Sequence, residues 1–124
     1  MRNQSEISTI GYGGKSPREF FNELEALDPE IVIDVRANPF KAFLNVYTKP
    51  YLEDRLKNRY IWIEELGNQT RSLPPTLIDE EVGLRKVREL MSNNHRIVLL
   101  CAEKDESKCH RIYIKSRLLE DENI

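Results

Sequence analysis

The chain has little of what would fix its class at once: two cysteines, two histidines, one tryptophan and five glycines in 124 residues. Two cysteines are too few for a disulfide scaffold, and a reducing cytosol keeps such thiols reduced. Cys101 and Cys109 therefore read as site or core residues, with a redox-reversible pair left open. Cys101, Cys109 and His110 offer thiolate and imidazole, but the spacing lacks the paired elements of a structural zinc site. His95 lies at the far end of its strand from Cys101, so no metal and no cofactor are expected. No apolar run approaches the length of a membrane span, and MRNQSEIS lacks the apolar core of a signal peptide. The expectation is a cytoplasmic protein without a membrane partner. Charge is balanced too: nineteen Lys and Arg stand against twenty-one Asp and Glu, for a net charge of -2. No global field then draws the chain to nucleic acid.

What is present fits one soluble domain over residues 1–124, with enough apolar content for a single core. Ile7 to Tyr12 reads as a first strand, followed by a glycine turn at Gly11, Gly13 and Gly14. Ser16-Pro17-Arg18-Glu19 predicts a helix start: Ser16 as N-cap, Pro17 in the first turn and Glu19 closing a capping box, with Phe20, Phe21, Leu24 and Leu27 as the buried stripe. Ile31 to Arg36 is a β-branched second strand with its polar residues at the C-terminal end. Ala37 to Thr48 is aromatic and irregular, a lid candidate, and leads to a helix near Pro50 to Asn58. Tyr60 to Ile63 is a third strand, and Asp79 to Ser92 a helix that Asn93-Asn94 would stop through left-handed backbone angles. A fourth strand, Arg96 to Leu100, and a last helix from about Ser107 to Leu119 complete the pattern. Four strands alternating with helices predict an α/β fold, with a mostly parallel four-stranded sheet and helices on both faces.

The run Ile97 to Leu100 is apolar throughout, as in a strand covered on both faces, so Cys101 and Glu103 should fall at the sheet's C-terminal edge, where open α/β folds bind ligands. If strands two and four are neighbours, Asp34 and Arg36 converge there. Asp34 and Glu103 would then be a proton-transfer pair, or ion-pair partners for Arg36 and Arg111. With Ser107 as N-cap, Lys108, Cys109 and His110 occupy the first helical turn, where unpaired N–H groups favour an anion; beside Arg111 they would favour the thiolate of Cys101. Cys109 shares a helical face with Ile112, Tyr113, Ser116 and Leu119, which suits core packing equally well. Gly14-Lys15-Ser16 looks like the end of a P-loop, but Thr9 stands where the first glycine is needed, so capping explains the turn. Its N–H groups, near Tyr12, still border the same edge. Lys41, Phe43, Tyr47, Lys49, Tyr51, Arg55 and Lys57 interleave basic and aromatic groups, as a single-strand nucleic-acid track would, or as a core-covering loop would.

Three segments resemble the family of domain of unknown function 488 (DUF488). These are Thr9-Ile10-Gly11-Tyr12 with Ser16 and Glu19-Phe20, Ile33-Asp34-Val35-Arg36 with Pro39, and Cys101-Ala102-Glu103-Lys104-Asp105 running to Cys109-His110-Arg111. The resemblance implies a compact α/β domain and brings no activity with it. A looser likeness is to rhodanese-type sulfurtransferases, through a strand ending in Asp-x-Arg and another ending in cysteine; Ala102 to Lys108, however, has none of the glycine of the rhodanese loop. Two functions follow. One is an enzyme with Cys101 as reactive thiol, Asp34 and Glu103 as catalytic partners, and Tyr12, Arg36, Cys109, His110 and Arg111 around a small anionic ligand. The other is a non-catalytic module that binds a nucleotide, nucleic acid or phosphorylated partner through the same cations.

Overall fold

The protein is described by a computed structural model over residues 6–70, 75–103 and 110–122. Its strands are β1 (Glu6–Gly11), β2 (Ile31–Asp34), β3 (Tyr60–Trp62) and β4 (Arg96–Cys101); its helices are α1 (Pro17–Ala26), α2 (Lys49–Leu56), α3 (Glu80–Met91) and α4 (His110–Glu122). The four strands form one sheet in the order β1-β4-β2-β3, every pairing parallel. The α/β architecture expected from the alternation of strands and helices is therefore the one observed. Among the described residues no helix is long and apolar enough to cross a membrane.

The alternation of side chains along each strand sorts the core into two layers. Ile31, Ile33, Ile97, Leu99 and Cys101 pack on one face with Leu84, Val87 and Met91 of α3 and Ile114 and Leu118 of α4. Val32, Val98 and Leu100 pack on the other with Phe20, Phe21 and Leu24 of α1 and Leu52 and Leu56 of α2. The continuous apolar run of β4 is explained by this arrangement: it is a central strand, and residues 97–100 are all buried.

Local signals act as their chemistry requires. Ser16 and Glu19 form the capping box of α1, with Oγ accepting from Glu19 N–H and Oε1 from Ser16 N–H. Asp79 caps α3 through Val82 N–H. The end of α3 corrects one expectation. Left-handed angles occur at Asp28 and Lys57, not at Asn93 or Asn94; α3 stops because the Asn94 amide donates to the Leu90 carbonyl at 2.9 Å, a side chain taking over a terminal acceptor. The start of the last helix before His110, with Ser107, Lys108 and Cys109, lies outside the described residues.

Glu30 ties β4 to β2 at the opposite end from the site. Its Oε1 accepts from the N–H groups of His95 (2.7 Å) and Arg96 (3.0 Å). These backbone bonds hold the carboxyl below the ordinary glutamate value of 4.5. A lowered native pKa means stabilisation that is complete above the ordinary value and disappears as pH falls through the lowered one. Glu30→Gln should therefore unfold at lower denaturant than the parent near neutral pH, with the gap closing as the pH drops below about 4 in a urea titration series.

Candidate functional site

The sheet topology makes an opening at the C-terminal ends of its central strands. The chain leaves β1 and β2 toward the α1 and α2 layer but leaves β4 toward α4 on the other face. Diverging connections of this kind open a crevice, the usual ligand position in parallel sheets. A cavity of about 330 Å³ lies here, lined by Tyr12, Arg36, Ala37, Asn38, Lys41, Asn68, Cys101, Ala102, Glu103 and His110. The site straddles the sheet rim: Cys101 belongs to the α3/α4 layer and Tyr12 to the α1/α2 layer.

Gly11 makes this junction sterically feasible. A Cβ there would fall 1.8 Å from the Glu103 carbonyl oxygen and 2.9 Å from Arg111 Nη1, so the loop after β4 can lie against the end of β1 only where no side chain stands. Gly13 N–H donates to Ala102 O at 2.8 Å and Arg111 Nη1 to Glu103 O at 2.8 Å, fixing the same loop from two sides. Gly14 takes φ 73°, which closes the turn into α1.

Cys101 and His110 meet at the cavity wall. The sulfur lies 3.7 Å from His110 Nδ1, and His110 Nε2 lies 2.6 Å from the carbonyl of Val35. A carbonyl can only accept, so Nε2 is the donor of that bond, which turns Nδ1 toward the sulfur. Both side chains are buried, but both line the cavity.

Asp34 and Arg36 form the second constellation. Arg36 Nε donates to Asp34 Oδ1 at 2.8 Å and Nη2 to Oδ2 at 2.6 Å, while Nη1 donates to the Tyr47 carbonyl at 2.7 Å and to the Tyr12 hydroxyl at 3.3 Å. Asp34 is 0% exposed and also accepts from the Tyr60 hydroxyl and from Arg36 N–H. Burial opposes the guanidinium charge, but the Asp34 hydrogen bonds and charge, with Tyr12 adding, outweigh it and hold Arg36 above its ordinary value. Burial first, then the Asp34 carboxylate, push the Tyr60 phenol far up, so it stays a hydrogen-bond donor.

Five of the residues expected at the site line the one cavity: Tyr12, Arg36, Cys101, Glu103 and His110. Asp34 lies beneath it, held by Arg36 and Tyr60. Arg111 is buried against the loop carbonyl of Glu103 and is not among the lining residues. Cys109 is outside the described residues. Sequence reasoning did not find Asn38 or Asn68, and it had placed Lys41 in a different pattern. That basic and aromatic pattern is dispersed in the fold. Tyr47 is in the core, Arg55 lies over Phe21, and Lys49 and Lys57 pair with Glu53 and Asp54. Among the described residues no group of three or more His, Cys, Asp or Glu could hold a metal ion.

Comparison with known proteins locates the chain through its C-terminal half. No curated protein and no solved structure matches it, so the likeness to sulfurtransferases has no support there. The profile of the family described as domain of unknown function DUF488 matches residues 75–118, a stretch that carries α3, β4, Cys101, Glu103, His110 and Arg111. The other two segments of the resemblance, around Tyr12 and around Arg36, lie outside the matched stretch. Over residues 75–118, and over that stretch alone, the chain is similar to the DUF488 family of domains of unknown function.

Proposed function

We propose that the chain is an enzyme in which Cys101 attacks a small substrate held at the C-terminal rim of the sheet, with His110 taking the thiol proton. The observation that supports this reading best is the Cys101 Sγ to His110 Nδ1 approach of 3.7 Å on the wall of a cavity, with the ring turned by its bond to Val35. Nucleophile, base and orienting acceptor are thus in sequence. In the step itself the S–H proton passes to Nδ1 as sulfur bonds to an electrophilic carbon. The leaving group departs with its electron pair and takes that proton back from the imidazolium. Asp34 has the role of a positioning residue: its oxygens hold Arg36, which lines the cavity. Glu103 stands at the exposed mouth. A thiol used in this way suits a reducing compartment, in agreement with a cytoplasmic location.

The alternative, a module that only binds a nucleotide or phosphorylated partner, needs a surplus of positive charge. The cavity wall offers Lys41 against Glu103, and Arg36 already neutralised by Asp34. Alkylation with iodoacetamide at pH 7, read at Cys101 by peptide mass, separates the two. The expected result is that Cys101 in the native chain reacts faster than in the urea-unfolded chain. A native Cys101 that reacts more slowly than the unfolded one rules the enzyme reading out and leaves the binding module.

A further inference from the structure

We infer that this cavity selects a substrate bearing one carboxylate, and that Lys41 is the residue that reads it. The inference rests on the proposed thiol site and adds the substrate class. It starts from hydrogen-bonding protons of Tyr12, Arg36, Asn38 and Lys41 on the wall that meet no acceptor among the described residues. Arg36 has five N–H donors, and four are committed, to Asp34 Oδ1 and Oδ2, the Tyr47 carbonyl and the Tyr12 hydroxyl. The remaining Nη2 proton has no acceptor among the described residues, although Arg36 is 5% exposed and lines the cavity. Tyr12, 8% exposed, accepts from Arg36, and its own O–H proton likewise meets no acceptor among the described residues. Asn38 spends its Oδ1 on the Phe40 N–H, which leaves its two amide protons. Lys41 is exposed on the same wall and forms no ion pair among the described residues.

The open donors of Arg36 and Tyr12 are buried and call for a ligand rich in acceptor atoms, because a buried donor left unsatisfied is costly; the exposed Asn38 amide and Lys41 ammonium stand beside them as further donors. Charge then limits what that ligand is. The Arg36 charge is cancelled by Asp34 at 2.6 Å, so Lys41 supplies the lysine charge on this wall, with no ion pair among the described residues, and Glu103 opposes any excess negative charge. A phosphate or sulfate dianion would keep its second charge uncompensated. A carboxylate brings one charge and two acceptor oxygens, which matches one ammonium with the N–H and O–H donors beside it. Arg36 cannot grip that carboxylate in a bidentate fork, since its fork is already used on Asp34. Its role toward the ligand is a single hydrogen bond, and the charge recognition falls to Lys41.

Two alkylating agents of nearly equal size and the same leaving iodide test this directly: iodoacetate carries the carboxylate, iodoacetamide the neutral amide. The rate ratio of iodoacetate to iodoacetamide at Cys101 in the native chain, divided by the same ratio in the urea-unfolded chain, should be raised about tenfold, the worth of one charge-assisted contact. Lys41→Met should bring it back toward one, and Glu103→Gln should raise it further. A ratio of one in the parent chain, or a raised ratio that survives Lys41→Met, overturns the inference. A second measurement does not depend on sulfur chemistry. Acetate titrated into the native chain should shift the amide resonances of Tyr12, Asn38 and Lys41 saturably, and more tightly than inorganic phosphate does. Phosphate binding more tightly, or acetate leaving these amides unmoved, also overturns it. An inert Cys101 in a chain that binds acetate sinks the enzyme reading and keeps the carboxylate site.

Discussion

Replacement of Asp34 by alanine should lower the free energy of unfolding by about 3–5 kcal/mol, the usual result of stranding one member of a buried ion pair. Asp34 is 0% exposed and Arg36 is 5% exposed, so water cannot stand in for the lost carboxylate. The substitution removes the acceptor of Arg36 Nε and Nη2, of Arg36 N–H and of the Tyr60 hydroxyl together. Against a domain stability of roughly 5–15 kcal/mol, such a loss moves the urea midpoint far enough to be read without ambiguity. Arg36→Ala should cost less, since it leaves behind an acid that can take up a proton. The double variant should fall well short of the sum of the two, because each single change includes the cost of the orphaned partner. Additive losses would show that the pair does not act as a unit.

His110→Gln tests the other half of the site and should slow alkylation of Cys101 at pH 7 about tenfold while the fold persists. An unassisted thiol is only a few per cent thiolate at neutral pH, and the more abundant thiolate made by a paired base is partly offset by its lower intrinsic nucleophilicity. Glutamine keeps an N–H that can reach the Val35 carbonyl and removes the basic nitrogen. Its effect should therefore fade as the pH rises past the ordinary thiol value near about 8.5, where hydroxide does the work of the base. A deficit equally large at alkaline pH would mean that the ring shapes access to the sulfur and does not accept its proton. Thermal unfolding of the same variant shows whether the packing around Val35 has survived.

The fold was legible because its signals are local and repeated. The Ser16 to Glu19 capping box, the β-branched Ile31 to Ile33 and the all-apolar Ile97 to Leu100 each report their own element from within a few residues, and the structure agrees with all three. Boundaries moved where tertiary contacts decide them. β2 ends at Asp34, two residues before Arg36, because the guanidinium turns back onto the carboxylate of Asp34. The site was half legible. Cys101, Arg36 and Glu103 are placed by strand ends, which a hydrophobic pattern locates. The pairing of His110 with Cys101 depends on how the chain returns after residue 103, and Asn38 and Lys41 reach the cavity from an irregular loop. No periodicity reports such placements. Tyr47 and Tyr60 were read as a loop aromatic and a strand residue; both support Arg36, Tyr47 by its backbone carbonyl and Tyr60 through Asp34. A backbone acceptor leaves no trace in residue identity.

The strand order has a consequence for how the molecule is made. β1 and β2 never touch as partners; the strand that joins them, β4, is the last of the four to be synthesised. While a ribosome is still adding α3, β2 can pair with β3, but β1 must wait unpaired with its edge open. Cooperative closure comes only when residues 96–101 arrive and slot between the two, bringing Cys101 into register with Gly11 in the same event. Pairings over such sequence distances are slow to form. The waiting edge is where a nascent chain would be captured by a chaperone or by a second copy of itself.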